Sequence, residues 1–341
     1  MARPDQIAAD PHWLPHRIDP ARREVGFVRF SRAELEDRAF LANQRGQEEA
    51  WLSFDSVTAM RPAAPLPGRF IFHSGFCRST LLLQALCGSG RALGLNEPEI
   101  LNGLARLPDQ DPPLLGAILA LLLRPHPERE AVIIKPSNFP NRLIPQIMKL
   151  LPEARAVILT NTLPAFLQAI ARKGLLGRQW GRQTLLVAAE YAGDIGALRD
   201  QLAGLTDLQV AGLGWLLMQN WFDRVADPRL AVLHGESLTS AGPAALGEAA
   251  AHLGLALPAD EIAAILTGPV FATDAKTGED YAALRIRQAA RAEVPVIAEE
   301  IEQVAAWIDQ LAAVSGLKVP IAPTIAPTIP VPQGAASGVF R

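Results

Sequence analysis

The chain has 341 residues, 49% of them hydrophobic, and a formal net charge of -3 at pH 7. That is enough apolar material for one large core or two, and the charge balance supplies no general attraction for nucleic acid. Two cysteines, Cys77 and Cys87, make no disulfide framework, residues 1–6 lack a secretory apolar region, and the longest apolar run, 114–123, is too short to span a bilayer, so a cytoplasmic protein with no membrane partner is expected.

In chain order, residues 1–67 read as an N-terminal extension. Residues 25–30 predict a strand. Ser31 and Glu34 then stand at capping-box spacing, where each side chain satisfies the other's free backbone N–H, and a helix is expected from there to about residue 44. Pro62, Pro65 and Pro67 interrupt regular structure and mark a connector. From residue 68 the pattern alternates: strand 69–73, helix from 79, strand 131–135, helix 141–150, strand 155–160, helix 164–174, and a further strand at 230–234. Short connections between buried apolar runs of this kind predict an α/β domain over 68–318, a three-layer fold with a central, mostly parallel sheet flanked by helices.

Residues 180–227 predict two long helices in which Trp215, Leu216, Trp221 and Phe222 form an apolar stripe, read as core ahead of a lid. A last helix is expected over 295–314. The segment 319–341 is rich in Pro, Ala and Thr and is read as an extended or disordered tail. No internal repeat is visible.

The chemistry concentrates after the first strand of the α/β pattern. Residues 69–83 run from an apolar strand through Ser74, Gly75, Phe76, Cys77 and Arg78 into a helix that opens with Ser79 and Thr80. A helix start presents unpaired N–H groups and the positive end of its dipole, so a phosphate or sulfate can settle there. Arg78 adds a permanent charge with forked donors, and Ser79 and Thr80 add hydroxyls. The loop is not a Walker A sequence, because Cys77 and Arg78 replace the expected Gly-Lys. None of the strands 131–135, 155–160 or 230–234 ends directly in a carboxylate for magnesium. A polyanionic donor without a dedicated metal is the expectation.

These residues resemble the sulfotransferases that use 3′-phosphoadenosine-5′-phosphosulfate. The family's Arg-Ser-Gly-Thr-Thr-Leu-Leu loop is similar to Arg78-Ser79-Thr80-Leu81-Leu82, shorter by about one residue. The likeness continues through Asn96-Glu97-Pro98, Ile133-Ile134-Lys135-Pro136, the lead-in Leu151-Pro152-Glu153-Ala154-Arg155, the segment Leu233-His234-Gly235-Glu236-Ser237-Leu238, and His252-Leu253-Gly254-Leu255. The resemblance implies a P-loop sulfotransferase-like fold, the phosphosulfate nucleotide as co-substrate, no metal, and a hydroxyl acceptor that is a small molecule, a carbohydrate or a peptide. It leaves the acceptor and the oligomeric state open.

One departure stands out. The family follows its third strand with Arg-Asp-Pro and a serine eight residues later, which hold the donor's 3′-phosphate; here Asn161 with Ala169, or Thr160 with Gln168, occupies those places. A lost charge-assisted phosphate contact removes on the order of 1.5 to 3 kcal/mol. Arg172, Lys173, or Lys276 in a later polar loop is read as a replacement.

The role assignments implied are these. Arg78 contacts the phosphosulfate, with Ser74, Gly75, Phe76, Cys77, Ser79 and Thr80 lining the donor. Lys135 places its ammonium beside the bridging oxygen, and Glu97 is the general base, with His73 as the rival. For each there is a plain structural alternative: a surface ion pair for Arg78, a helix cap or ion pair for Lys135, a solvated loop residue for Glu97 and Lys276, a hydrogen-bonded strand end for His73. Cys77, beside Arg78 at a helix start, reads either as a reactive thiol or as a small buried residue, and Glu236 as an acceptor-orienting group or a cap. A small-molecule kinase or other nucleotide-dependent phosphotransferase, and a degenerate relative that binds without catalysis, remain as alternatives to sulfuryl transfer.

Overall fold

The computed structural model of the protein describes residues 3–36, 41, 46, 48–62, 64–127, 129–193, 196–272 and 295–325. The N-terminal part holds α1 (Pro4–Ala9), β1 (Trp13–Asp19), β2 (Glu24–Arg29), α2 (Arg32–Glu36), β3 (Glu48–Ser53) and α3 (Phe54–Ala59). The three strands form an antiparallel meander in the order β1-β2-β3. The strand expected at 25–30 is β2, its central member. The capping box is present: Glu34 accepts from the Ser31 N–H at 2.6 Å, and Ser31 Oγ accepts from the Glu34 N–H at 3.3 Å. The helix it starts is described as far as Glu36, and the rest of the expected span lies largely outside the described residues.

β1 and β3 were not expected, and β3 shows why. Its sequence Glu-Glu-Ala-Trp-Leu-Ser is mostly exposed, with only Ala50 buried, so it lacks the apolar signature of a strand. What places Trp51 is Gly26 across the ladder, where an added Cβ would come within 2.9 Å of the indole. This sheet shares one apolar core with the rest of the chain, in which Trp13, Phe27 and Phe54 join Leu114 and Ile118. Arg124 fastens the two together. It is 1% exposed, and its guanidinium donates to the carbonyls of Ile7, Ala8, Asp10, Trp13 and Leu121.

The chain continues through β4 (Arg69–His73), α4 (Ser79–Cys87), β5 (Ala92–Asn96), α5 (Glu99–Arg106), α6 (Pro112–Leu122), β6 (Ala131–Lys135), α7 (Ile144–Leu150), β7 (Arg155–Thr160), α8 (Leu163–Arg172), α9 (Gly174–Ala189), α10 (Asp207–Arg224) and β8 (Leu230–His234). It closes with α11 (Ser237–Ser240), α12 (Gly242–His252), α13 (Ala259–Thr267), α14 (Pro269–Ala272) and α15 (Pro295–Val314). The strands β4 to β8 form one parallel sheet in the order β5-β6-β4-β7-β8.

Strand alternation divides the core in two. Ile71, Ile133, Val157 and Leu233 face α4, α12 and α13, while Phe70, Phe72, Ile134 and Ile158 face the helices of the other layer. This is the three-layer α/β architecture that the alternation predicts. The chain leaves β4 toward β5 on one side and leaves β6 toward β7 on the other, so the connections diverge around the carboxyl end of β4, where open α/β sheets form their crevice.

The two expected helices over 180–227 are α9 and α10, and the aromatic stripe is core. Trp215 is buried and its indole N–H donates to the Asn161 carbonyl, while Trp221 donates to the Asn141 carbonyl. Gly214 permits the close approach: an added Cβ would lie 2.7 Å from the Leu185 backbone nitrogen.

The first residues of the tail are extended and packed against the sheet. Thr324 donates its N–H to the Val232 carbonyl at 2.9 Å and its hydroxyl oxygen accepts from the Val232 N–H at 2.8 Å. Ile321 is buried, and its backbone joins Gln219 and His234. β8 is an edge strand with unpaired ladder groups, and this extended segment covers them. Residues 326–341 lie outside the described residues. Among the described residues no helix is long and apolar enough to cross a membrane.

Candidate functional site

The loop from Ser74 to Arg78 is shaped by positive φ angles at Gly75 (83°), Phe76 (54°) and Arg78 (66°). For Phe76 and Arg78 such angles cost on the order of 1–2 kcal/mol each, so the surroundings must hold them. Several contacts do. Ser74 donates its N–H to the Leu159 carbonyl, and the Asn161 amide donates to the Phe76 carbonyl at 3.3 Å. The Phe76 ring packs edge-on against Phe166 at 5.6 Å. Gly235, after β8, abuts the loop so closely that an added Cβ would stand 2.2 Å from the Cys77 carbonyl oxygen.

His73 belongs to the same brace. Its Nδ1 accepts from the Gly75 N–H at 3.0 Å, which puts the proton on Nε2, and Nε2 donates to the Pro136 carbonyl at 2.9 Å. Both ring nitrogens are committed to backbone, so the imidazole is a structural group and not a base in this arrangement.

Arg78 is the N-cap residue of α4 and makes no capping bond with its side chain. The first intrahelical bond runs from the Leu82 N–H to the Arg78 carbonyl, which leaves the N–H groups of Ser79, Thr80 and Leu81 without a helical acceptor. The half-buried guanidinium of Arg78 has no hydrogen bond or ion pair with any described residue. Ser79 and Thr80 are buried in the first turn. Converging donors, one cation and the helix dipole make this end of α4 suited to an anion.

Cys77 is 1% exposed, and burial pushes its thiol up from the ordinary cysteine range, only partly offset by the positive charge of Lys135. It is therefore protonated and packed, which overturns the reactive-thiol reading. Position beside a helix start lowers a thiol pKa only while some solvent or counter-charge reaches the sulfur.

One strand along, Lys135 ends β6 fully buried. Its Nζ donates to Glu97 Oε1 at 2.5 Å and to Asn96 Oδ1 at 3.2 Å. Parallel pairing sets Asn96 directly opposite Lys135, and the Glu97 N–H donates to the Lys135 carbonyl at 2.7 Å. Glu97 itself turns the chain with φ 53° and keeps about a quarter of its side chain exposed. The sequence singled out Glu97 and Lys135 separately; the structure makes them one ion pair at the carboxyl ends of neighbouring strands.

The opposite flank does not fit the donor's 3′-phosphate. Asn161 is 1% exposed, and its amide lies between the Phe76 carbonyl and the Ser74 hydroxyl. The hydroxyl of Thr160 is held by the Gln219 amide. Arg172 lies at the far end of α8, about 13 Å of helix beyond Leu163. Lys276 lies outside the described residues. At the start of α8, where an anion would be welcome, Glu236 accepts from the Thr162 N–H and hydroxyl at 3.0 and 2.9 Å. Glu236 is thus a cap, supplied from beyond β8.

Two residues of this region had no role in the sequence reading. Asn96 stood in the Asn-Glu-Pro segment, and strand register is the signal that joins it to Lys135. Thr162 pairs with a residue 74 positions away, for which the sequence carries no local sign. Among the described residues no group of three metal-ligating side chains comes together.

Two solved structures are similar to this chain. A sulfotransferase from Alicyclobacillus acidocaldarius is 16% identical, with 72% of this chain and 96% of that chain covered at a TM-score of 0.37. The sulfotransferase domain from the curacin biosynthetic pathway is 14% identical, with 75% of this chain and 100% of that chain covered at a TM-score of 0.41. No family model and no curated protein matches the sequence.

Proposed function

We propose that the protein is a sulfotransferase-like enzyme that moves a sulfuryl group from a 3′-phosphoadenosine-5′-phosphosulfate-type donor to a hydroxyl acceptor. The observation that carries this reading is the Lys135–Glu97 pair standing beside the open N-terminus of α4, whose Arg78 has no side-chain partner among the described residues. An anion site, a buried cation and a carboxylate are the three groups that transfer to a hydroxyl requires.

When bound, the donor supplies an activated sulfur whose leaving group is a phosphate. Arg78 and the first-turn N–H groups of α4 hold the electron pair that stays on that phosphate as the bridging sulfur–oxygen bond breaks. Lys135 offers an N–H to the bridging oxygen. Glu97 takes the hydroxyl proton while the acceptor oxygen bonds to sulfur, and its contact with Lys135 orients the carboxylate for this. The missing cation at Asn161 leaves the 5′ end to carry most of the donor's binding energy.

A phosphotransferase is the second reading. It is disfavoured by the strand ends: β6, β7 and β8 end in Lys135, Thr160 and His234, and the carboxylates beside them, Glu97 and Glu236, are engaged with Lys135 and Thr162. Donor preference separates the two. Calorimetric titration should show 3′-phosphoadenosine-5′-phosphate binding in EDTA; binding of ATP that requires magnesium, with none of the bisphosphate, would favour the kinase, and binding of neither would point to a non-catalytic relative.

A further inference from the structure

Eight large apolar side chains are exposed among the described residues, and four of them stand on α9: Leu175 (73%), Leu176 (52%), Trp180 (36%) and Leu186 (64%). At helical spacing they share one side of α9 with Gln179 and Gln183. Gly177, Gly181, Thr184, Leu185 and Ala188 take the other side and are buried. A helix that is apolar on both sides is ordinarily covered on both, and a grouped apolar surface marks a place of contact.

The charge around this side has one sign. Between Glu153 and Glu190 the chain carries Arg155, Arg172, Lys173, Arg178 and Arg182 and no carboxylate. Arg178 and Arg182 lean back on Asp207 of α10, and Arg178 also reaches Glu300 of α15 at 3.6 Å. Arg172 and Lys173 stand at the entry to α9, where the Lys173 ammonium lies 5.6 Å over the Trp180 ring. Four cations against two carboxylates leave the helix and its surroundings positive.

We propose that the outer side of α9 docks on an anionic lipid surface. Leu175, Leu176, Trp180 and Leu186 enter the boundary between headgroups and acyl chains, and the cations beside them meet lipid phosphates and carboxylates. Leucine and tryptophan on one side of a helix, with arginine and lysine at its margins, suit that boundary. A helix lying in the surface plane needs no bilayer-crossing length, so the contact is consistent with the lack of a spanning helix among the described residues. A second copy of the chain fits less well. Two α9 helices face to face would set their cations against each other, with no carboxylate on that side of α9 to receive them. The Trp180 ring lies 6.1 Å from the ring of Phe76, so docking would hold the Ser74–Arg78 loop close to the bilayer. The inference does not depend on the sulfuryl-transfer reading.

The test is co-sedimentation of the full chain with vesicles of phosphatidylcholine, alone or with about 30 mol% phosphatidylserine. The double variant Leu175→Gln/Leu186→Gln changes the two most exposed side chains of α9 and leaves Trp180 against Phe76. Leu175→Gln alone is the milder form, and Val314→Gln, at an exposed site on α15, is the control. The expected result is binding to the serine-containing vesicles, at least tenfold weaker to phosphatidylcholine alone, and falling as sodium chloride rises from about 0.05 to 0.5 M. Binding should weaken at least tenfold in the double variant and at least threefold in Leu175→Gln, at matched melting temperature, and stay within twofold of the parent in Val314→Gln.

No vesicle binding by the folded parent, equal binding to the two compositions, or unchanged binding by the α9 variants would overturn the inference. A dimer of the parent that the double variant abolishes would also overturn it and make α9 a contact between copies. Titration of the same proteins with 3′-phosphoadenosine-5′-phosphate keeps the two readings apart, because its affinity should be the same in the parent and the α9 variants.

Discussion

Glu236 closes the N-terminus of α8 through Thr162, taking both its N–H and its hydroxyl on one carboxylate oxygen, while the other oxygen is buried with no hydrogen-bond partner among the described residues. A negative charge therefore stands in the segment where the family resemblance places the donor's 3′-phosphate. The 3′-phosphate should add little affinity: the bisphosphate and 5′-AMP should differ by less than about tenfold in Kd. Glu236→Gln keeps the cap and removes the charge, so it should tighten the bisphosphate about three- to tenfold, on the order of 1 kcal/mol, and leave AMP unchanged. A bisphosphate that binds a hundredfold tighter than AMP would show that a cation reaches this place.

The Lys135–Glu97 pair predicts a separation of binding from turnover. Glu97→Gln keeps a hydrogen-bond acceptor for Lys135 and loses the proton acceptor. It should lower kcat by about 10² to 10⁴ while leaving bisphosphate binding within a few fold. Equal loss of binding and turnover would assign Glu97 to structure alone.

Arg124 predicts a stability effect far from the site. Burial pushes its guanidinium down to about 10, still charged at neutral pH, and its donors serve five backbone carbonyls. Arg124→Leu strands those carbonyls and should destabilise the protein by about 3 kcal/mol or more. In hydrogen exchange, the amides of β1 and β2 should lose protection first. A variant unfolding at the parent's denaturant midpoint would contradict this.

His126 predicts an acid-sensitive stability. Burial first, then the neighbouring His12, Arg124 and Arg129 against the opposing pull of Asp10, push its imidazole from 6.5 to about 4. Between those values the unfolded chain binds a proton that the folded chain refuses. The contribution is therefore complete above pH 6.5 and lost as pH falls toward 4, on the order of 3 kcal/mol in all. Urea unfolding at stepped pH should show this loss in the parent and a flatter profile in His126→Asn; parallel profiles would contradict the assignment.

The central sheet was legible because four of its strands are short apolar runs buried on both faces, as at residues 69–73 and 131–135. β5 was not, since Ala-Leu-Gly-Leu-Asn is short, contains glycine and lies at the sheet edge. The N-terminal meander hid for the related reason that β3 is mostly exposed. At the site, the loop and its helix could be read from spacing alone. Pairings could not: Lys135 meets Glu97 through strand register, and Glu236 meets Thr162 across 74 residues. Asn161 stands where the resemblance places a phosphate-holding arginine, whereas its burial and its amide bond to the Phe76 carbonyl show it bracing the loop.

The proposed donor site rests most directly on Arg78, which has a left-handed backbone and no side-chain partner among the described residues. Calorimetric titration with 3′-phosphoadenosine-5′-phosphate in EDTA, run on the parent and on Arg78→Ala at matched thermal stability, is the decisive measurement. Micromolar binding by the parent, weakened at least tenfold in the variant with its melting temperature unchanged, is the predicted result. Equal binding by both, or none by the folded parent, would contradict it.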